Sequence, residues 1–91
     1  MKNIYETIII LKDNEGYKNK LEKIKNYFNN CEIIKIEELG LKRLAYEIKN
    51  NKQGFYVLVE FKSESDEIRE IERLNRIDDE ILKSIVIRID N

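Results

Sequence analysis

The clearest strand signal in the chain is the run Phe55-Tyr56-Val57-Leu58-Val59-Glu60-Phe61-Lys62. Its odd positions are all apolar and its even positions are mixed, which is the two-residue repeat of a strand with one buried face. The polar segment 49–54 precedes the run and predicts a turn. The longer strand-like stretch 32–48 precedes that turn, so we predict that these two strands form a hairpin.

Two helical patterns lie on either side of this hairpin. Residues 16–29 carry apolar side chains at helical spacing, and the spacing of Ser63 and Asp66 predicts a capping box for a second helix. Residues 4–11 and 84–89 are rich in β-branched residues and predict the first and last strands. The order β-α-β-β-α-β predicts one α+β domain over residues 1–91, a ferredoxin-like two-layer sandwich. Its antiparallel four-stranded sheet, in the order 4-1-3-2, carries both helices on one face and has the long second strand at an edge.

Composition argues against an enzyme. The chain has 91 residues, contains no histidine and has a single cysteine, Cys31. It therefore lacks the commonest general base and metal ligand, and we expect neither catalysis nor a cofactor, metal or small-molecule substrate. The longest aliphatic run, residues 8–11, is too short to span a bilayer, so we expect a cytoplasmic protein with no membrane partner.

The net charge of −1 excludes binding to nucleic acid by bulk attraction alone. The charge is uneven, because residues 1–52 carry 11 basic and 8 acidic side chains whereas residues 53–91 carry 6 and 10. A loose echo of the RNA-recognition motif surrounds Tyr56, which is the only aromatic residue that the alternation places on the open face of that strand. A free RNA binder of this type is one alternative that the sequence leaves open.

The most specific motif is Gly40-Leu41-Lys42-Arg43-Leu44-Ala45-Tyr46-Glu47-Ile48-Lys49. Gly40 predicts a bulge or bend in the second strand. Lys42 and Arg43 have two interpretations that the residues alone do not separate. They either protect an edge strand against aggregation or contact phosphates or a partner strand.

This motif resembles that of the bacterial small-subunit ribosomal protein S6 family. Three further landmarks agree in order and spacing, namely Tyr5-Glu6, residues 53–56 and residues 76–86. One departure is Glu47, where the family usually has proline after the Ala-Tyr pair. The resemblance implies a non-catalytic ribosomal protein with the fold that the patterning predicts.

The resemblance also implies partners and site residues. The family binds the central domain of 16S ribosomal RNA as a heterodimer with ribosomal protein S18, in the small ribosomal subunit, with a role in translation and subunit assembly. We therefore expect a ribosome-associated protein whose RNA or partner contacts are made by Lys42, Arg43, Arg76, Lys83, Arg88, Lys2 and Tyr5. The other alternative is a regulatory or self-associating module of the same fold.

Overall fold

The computed structural model describes residues 2–13 and 17–90, and its elements follow the predicted order. The strands are β1 (Lys2–Lys12), β2 (Glu32–Ile48), β3 (Asn51–Glu64) and β4 (Ile81–Arg88), and the helices are α1 (Tyr17–Tyr27) and α2 (Glu67–Ile77). All neighbouring strands are antiparallel, in the order β2-β3-β1-β4. The predicted fold class is therefore confirmed, with β2 and β4 at the two edges of the sheet.

The main core lies between the helices and one face of the sheet. The alternation in β3 is confirmed, because its odd positions Val57, Val59 and Phe61 are buried while its even positions stay partly exposed. Phe61 packs against Phe28, the residue that directly follows α1, with 4.8 Å between the ring centroids. Burying a side chain of this size contributes about 1.5–3 kcal/mol, so this layer supplies much of the stability.

The turn between β2 and β3 is shorter than the sequence predicts. The two strands pair as far as Ile48 and Asn51, so only Lys49 and Asn50 form the turn. Both residues have positive φ, at 48° and 67°, as the central positions of a tight two-residue hairpin require. The predicted turn over residues 49–54 is therefore wrong in its extent, because polar residues there belong to a paired strand.

The long strand β2 does not keep one face throughout. Its pairing with β3 shifts register between Ile33 and Lys35, between Glu38 and Gly40, and beyond Arg43. Gly40 has φ +95°, a backbone conformation that favours glycine. The bulges explain why Ile36 packs against the main core whereas Tyr46, at the same parity, is 66% exposed.

Element boundaries around α2 also differ from the prediction. Ser63 remains in β3, where it lies opposite Asn3 of β1, so it cannot cap the helix. Asp66 occupies the N-cap position without a side-chain capping hydrogen bond, and the predicted capping box is wrong. The last strand begins at Ile81, three residues earlier than predicted, because Ile81 pairs with Leu11.

A second, smaller apolar cluster forms where the end of the β2–β3 hairpin folds over the open sheet face. Leu44 packs there with Ile10 and Leu82, and Ile48 and Tyr56 pack against them. Gly54 lets β3 pack closely against Ile10 and Leu11 of β1. A Cβ atom at this position would overlap Ile10 Cγ2 and lie 3.2 Å from the Leu11 carbonyl oxygen. The cluster brings the Lys49 turn next to the start of β4, where Lys49 Nζ donates to the Ile81 carbonyl oxygen at 3.4 Å.

Candidate nucleic-acid interface

Lys42 and Arg43 lie exposed on the edge strand β2, just after the Gly40 bulge. Neighbouring residues of a strand point to opposite faces, so the side chains of Lys42 and Arg43 lie on opposite faces of the sheet. Lys42 Nζ lies 5.9 Å from the Tyr56 ring centroid, which places Lys42 on the open face. A ligand can therefore contact both cations only by wrapping around the edge of the sheet.

Tyr56 is a poor stacking platform for a base. Its ring packs against the second apolar cluster and borders the small cavity beneath the hairpin end, and Lys42 lies over it. On the same open face, Ile8 of β1 pairs with Leu58 of β3 and with Ile85 of β4. The row of side chains across the middle of this face is therefore aliphatic. Recognition motifs that stack bases need exposed aromatic rings on this face, and in the described residues of β3 only Tyr56 offers one.

Arg76 and Lys83 meet in a cleft at the other edge of the sheet. Arg76 lies in the last turn of α2 and Lys83 near the start of β4, and the hairpin fold brings Lys49 beside them. The cleft has a volume of about 300 Å³, and its lining also includes Glu72 and Asn75. Sequence reasoning named Arg76 and Lys83 but missed Lys49, because a fold of the hairpin onto the sheet leaves no local signal.

The remaining predicted site residues lie at the opposite end of β1 and β4. Lys2 is exposed at the start of β1, and Arg88 is exposed near the end of β4, where it pairs with Asp90 at 3.0 Å. Tyr5 is only 8% exposed, and its ring stacks on Phe61 in the main core. The seven predicted residues therefore fall in three places, and the ring of Tyr5 serves the core.

A paired charge network lies directly beside the cationic cleft. Asp78 accepts two hydrogen bonds, from Tyr27 Oη to its Oδ2 at 2.6 Å and from the Glu80 N–H to its Oδ1 at 2.9 Å. The Lys23 Nζ atom lies 3.7 Å from Asp78 Oδ2. Burial opposes ionisation of Asp78, but these hydrogen bonds and the Lys23 charge outweigh it and hold its pKa below the usual range. Burial, the hydrogen bond and the Asp78 charge together raise the pKa of Tyr27 to about 12.

The described residues offer no metal site, since no three acidic or cysteine side chains converge in residues 2–13 and 17–90. Neither α1 nor α2 combines the length and hydropathy of a membrane-crossing helix.

Comparison with known proteins identifies the family. The family model described as ribosomal protein S6 matches residues 4–88. The chain belongs to the ribosomal protein S6 family. The small ribosomal subunit protein bS6 of Caldanaerobacter subterraneus is 38% identical, over 96% of this chain and 97% of that protein. The bS6 protein of Helicobacter acinonychis is 41% identical over 96% of this chain, which spans only 65% of that longer relative.

The structural comparison agrees with this family. The crystal structure of 30S ribosomal protein S6 from Thermotoga maritima superposes with a TM-score of 0.90 at 28% identity, covering 98% of this chain and 89% of that one. Membership in the ribosomal protein S6 family confirms the predicted resemblance and the expected ribosome-associated, cytoplasmic location. The family is one of structural ribosomal proteins, and no enzymatic activity is indicated.

Proposed function

We propose that this member of the ribosomal protein S6 family binds the central domain of 16S ribosomal RNA as a heterodimer with ribosomal protein S18, and acts in small-subunit assembly and translation. The observation that carries this proposal is a set of exposed cations that have no carboxylate partner among the described residues. Five cations take part in no ion pair within the described part of the chain, although the full sequence has 18 acidic and 17 basic side chains. They are Lys42, Arg43, Lys49, Arg76 and Lys83. Such side chains can meet phosphates without first losing a carboxylate partner.

In this proposal, a basic partner protein supplies the positive charge that this chain lacks. With a net charge of −1, the chain has little long-range attraction for RNA, so a basic partner would provide most of the binding energy. The edge strand β2 also exposes large apolar side chains beside its two cations, namely Ile34, Leu41 and Tyr46. An edge strand with free backbone groups and exposed apolar side chains is suited to contact a second protein.

Two binding experiments test the proposal. The chain is expected to co-purify with washed small subunits and to bind a central-domain RNA fragment tightly only when S18 is present. The double substitution Leu41→Ser and Tyr46→Ser should weaken association with S18, measured by calorimetry, because it removes apolar side chains that we expect the partner to contact. Both side chains are exposed, so their loss should leave the fold intact. Ile77→Ser is the matched control, since Ile77 is equally exposed but lies on α2. Absence of the chain from washed small subunits would contradict the proposal.

A mutant pair separates phosphate contacts from base stacking. Lys42→Glu with Arg43→Glu should reduce RNA binding of the heterodimer by tenfold or more through charge repulsion. Tyr56→Leu, which keeps the apolar packing, should change the affinity little because the ring packs against the second apolar cluster and Lys42 lies over it. The reverse result would favour a free RNA binder that stacks bases on Tyr56.

A further inference from the structure

We propose that the cleft between the Lys49 turn, the end of α2 and the start of β4 is a binding site for a phosphate group of an RNA strand. The proposal rests on the proposed RNA-binding function and locates one contact within it. Lys49, Arg76 and Lys83 are the cations of the site, and Asn75 is its neutral donor.

The three cations come from three separate elements and border one cleft. All three are exposed, and no carboxylate among residues 2–13 and 17–90 forms an ion pair with them. Glu72 is the one acidic side chain in the lining, so the lining carries a net charge of 3 − 1 = +2. Arg76 also lies in the last turn of α2, where the helix dipole favours a cation. The cleft is therefore locally positive on a chain that is negative overall.

Asn75 is the second and independent sign of a ligand. It is 1% exposed, it borders the same cleft, and within the described structure neither its Oδ1 nor its Nδ2 atom has a hydrogen-bond partner. A buried polar group without a partner costs stability, and nearly all such groups in native proteins are satisfied. An amide at the base of a cationic cleft can donate from Nδ2 to a phosphate oxygen that enters it.

The size and chemistry of the cleft favour a phosphate within a strand over a free phosphate ion. A volume of about 300 Å³ exceeds what one phosphate fills and leaves room for the attached ribose. Glu72 would repel a free dianion, but its carboxylate can accept a hydrogen bond from a ribose 2′-hydroxyl, the group that distinguishes RNA from DNA. Because the cleft lies at the edge of the sheet, a strand can enter and leave it along β4.

Titrations of the isotope-labelled full chain by nuclear magnetic resonance test this site. The probes are an eight-nucleotide oligouridylate, the same oligomer with an uncharged methylphosphonate backbone, and inorganic phosphate, all at constant ionic strength. The charged oligomer should shift the backbone resonances of Arg76 and Lys83 and the side-chain NH₂ resonances of Asn75. The uncharged oligomer should bind at least tenfold more weakly, and inorganic phosphate should bind more weakly than the charged oligomer.

Variants establish which residues are responsible. Arg76→Gln with Lys83→Gln should weaken oligouridylate binding about tenfold. The matched control is Arg69→Gln with Lys25→Gln, which removes the same charge from exposed helix positions outside the cleft lining. This control should leave the affinity for oligouridylate unchanged. Asn75→Leu should raise the unfolding temperature, because it removes an unpaired buried amide, and should weaken binding about fivefold. An unchanged affinity in folded Asn75→Leu would overturn the role of the amide.

The outcomes distinguish this site from the proposed function. Resonance shifts confined to Lys42 and Arg43 would overturn the cleft site and leave rRNA binding standing. Equal binding of free phosphate and oligouridylate would mean an adventitious ion only, and would overturn the RNA assignment. Shifts at the cleft from a chain that never enters small subunits would support the cleft and overturn the proposed ribosomal function.

Discussion

Two charged regions adjoin the start of β4, and they use their charges in opposite ways. In the Asp78 network, the carboxylate is buried and accepts hydrogen bonds from Tyr27 and from the Glu80 N–H. In the neighbouring cleft, Arg76 and Lys83 are exposed and have no ion-pair partner among the described residues. Only one residue, Ile77, separates Asp78 from Arg76 in the sequence. The difference indicates that a satisfied charge serves stability, whereas an unsatisfied one is available for a ligand.

The largest expected effect is the loss of the Asp78 carboxylate. Asp78→Ala removes a buried acceptor and leaves the Tyr27 hydroxyl and the Glu80 N–H unsatisfied, so we expect a loss of about 2–4 kcal/mol in the free energy of unfolding. Urea denaturation measures this loss. Affinity of the S18 heterodimer for central-domain RNA should stay within twofold at temperatures where the variant is folded. A large loss of RNA affinity in the folded variant would break the contrast between the two regions.

Tyr27→Phe should produce a smaller loss of about 1 kcal/mol. The substitution keeps the ring, which packs against the main core, and removes one hydrogen bond to the charged Asp78 carboxylate, which retains the hydrogen bond from the Glu80 N–H. Urea denaturation is again the measurement. Tyr46→Phe is the matched control, because the Tyr46 side chain is 66% exposed, and its free energy of unfolding should be unchanged. Equal losses in the two variants would show that the Asp78 network contributes little.

The pH dependence of stability should carry the signature of the same network. The pKa of Asp78 is lower in the folded protein than in the unfolded chain, so its contribution is present at neutral pH and is lost as the pH falls through its folded pKa. The pKa of Tyr27 is raised from 10 to about 12, so its contribution is complete below pH 10 and is lost as the pH rises towards 12. Urea titrations across pH should show both decreases. Tyr27→Phe should remove the alkaline one, and a decrease of full size in that variant would assign it elsewhere.

Most of the fold could be predicted from sequence, because the strand alternation in β3 and the helical spacing of Leu21, Ile24 and Phe28 are local patterns. The bulges of β2 could not, since register depends on the partner strand, and only Gly40 signals one of them. Site prediction was harder for the same reason. Lys49 reaches the cleft through a tertiary fold of the hairpin, and nothing local distinguishes Asn75 from a solvated helix residue.

One measurement tests the central proposal, that exposed cations of this chain without carboxylate partners bind RNA phosphate. The affinity of the S18 heterodimer for the central-domain RNA fragment is measured against salt concentration, for the natural chain and for Lys49→Gln/Arg76→Gln/Lys83→Gln. Each phosphate contact contributes about 0.7–0.9 to the slope of log affinity against log salt, so the triple variant, which removes the one phosphate contact of the cleft, should reduce the magnitude of the slope by about 0.7–0.9. An unchanged slope in a folded triple variant, with unchanged affinity, would contradict the account.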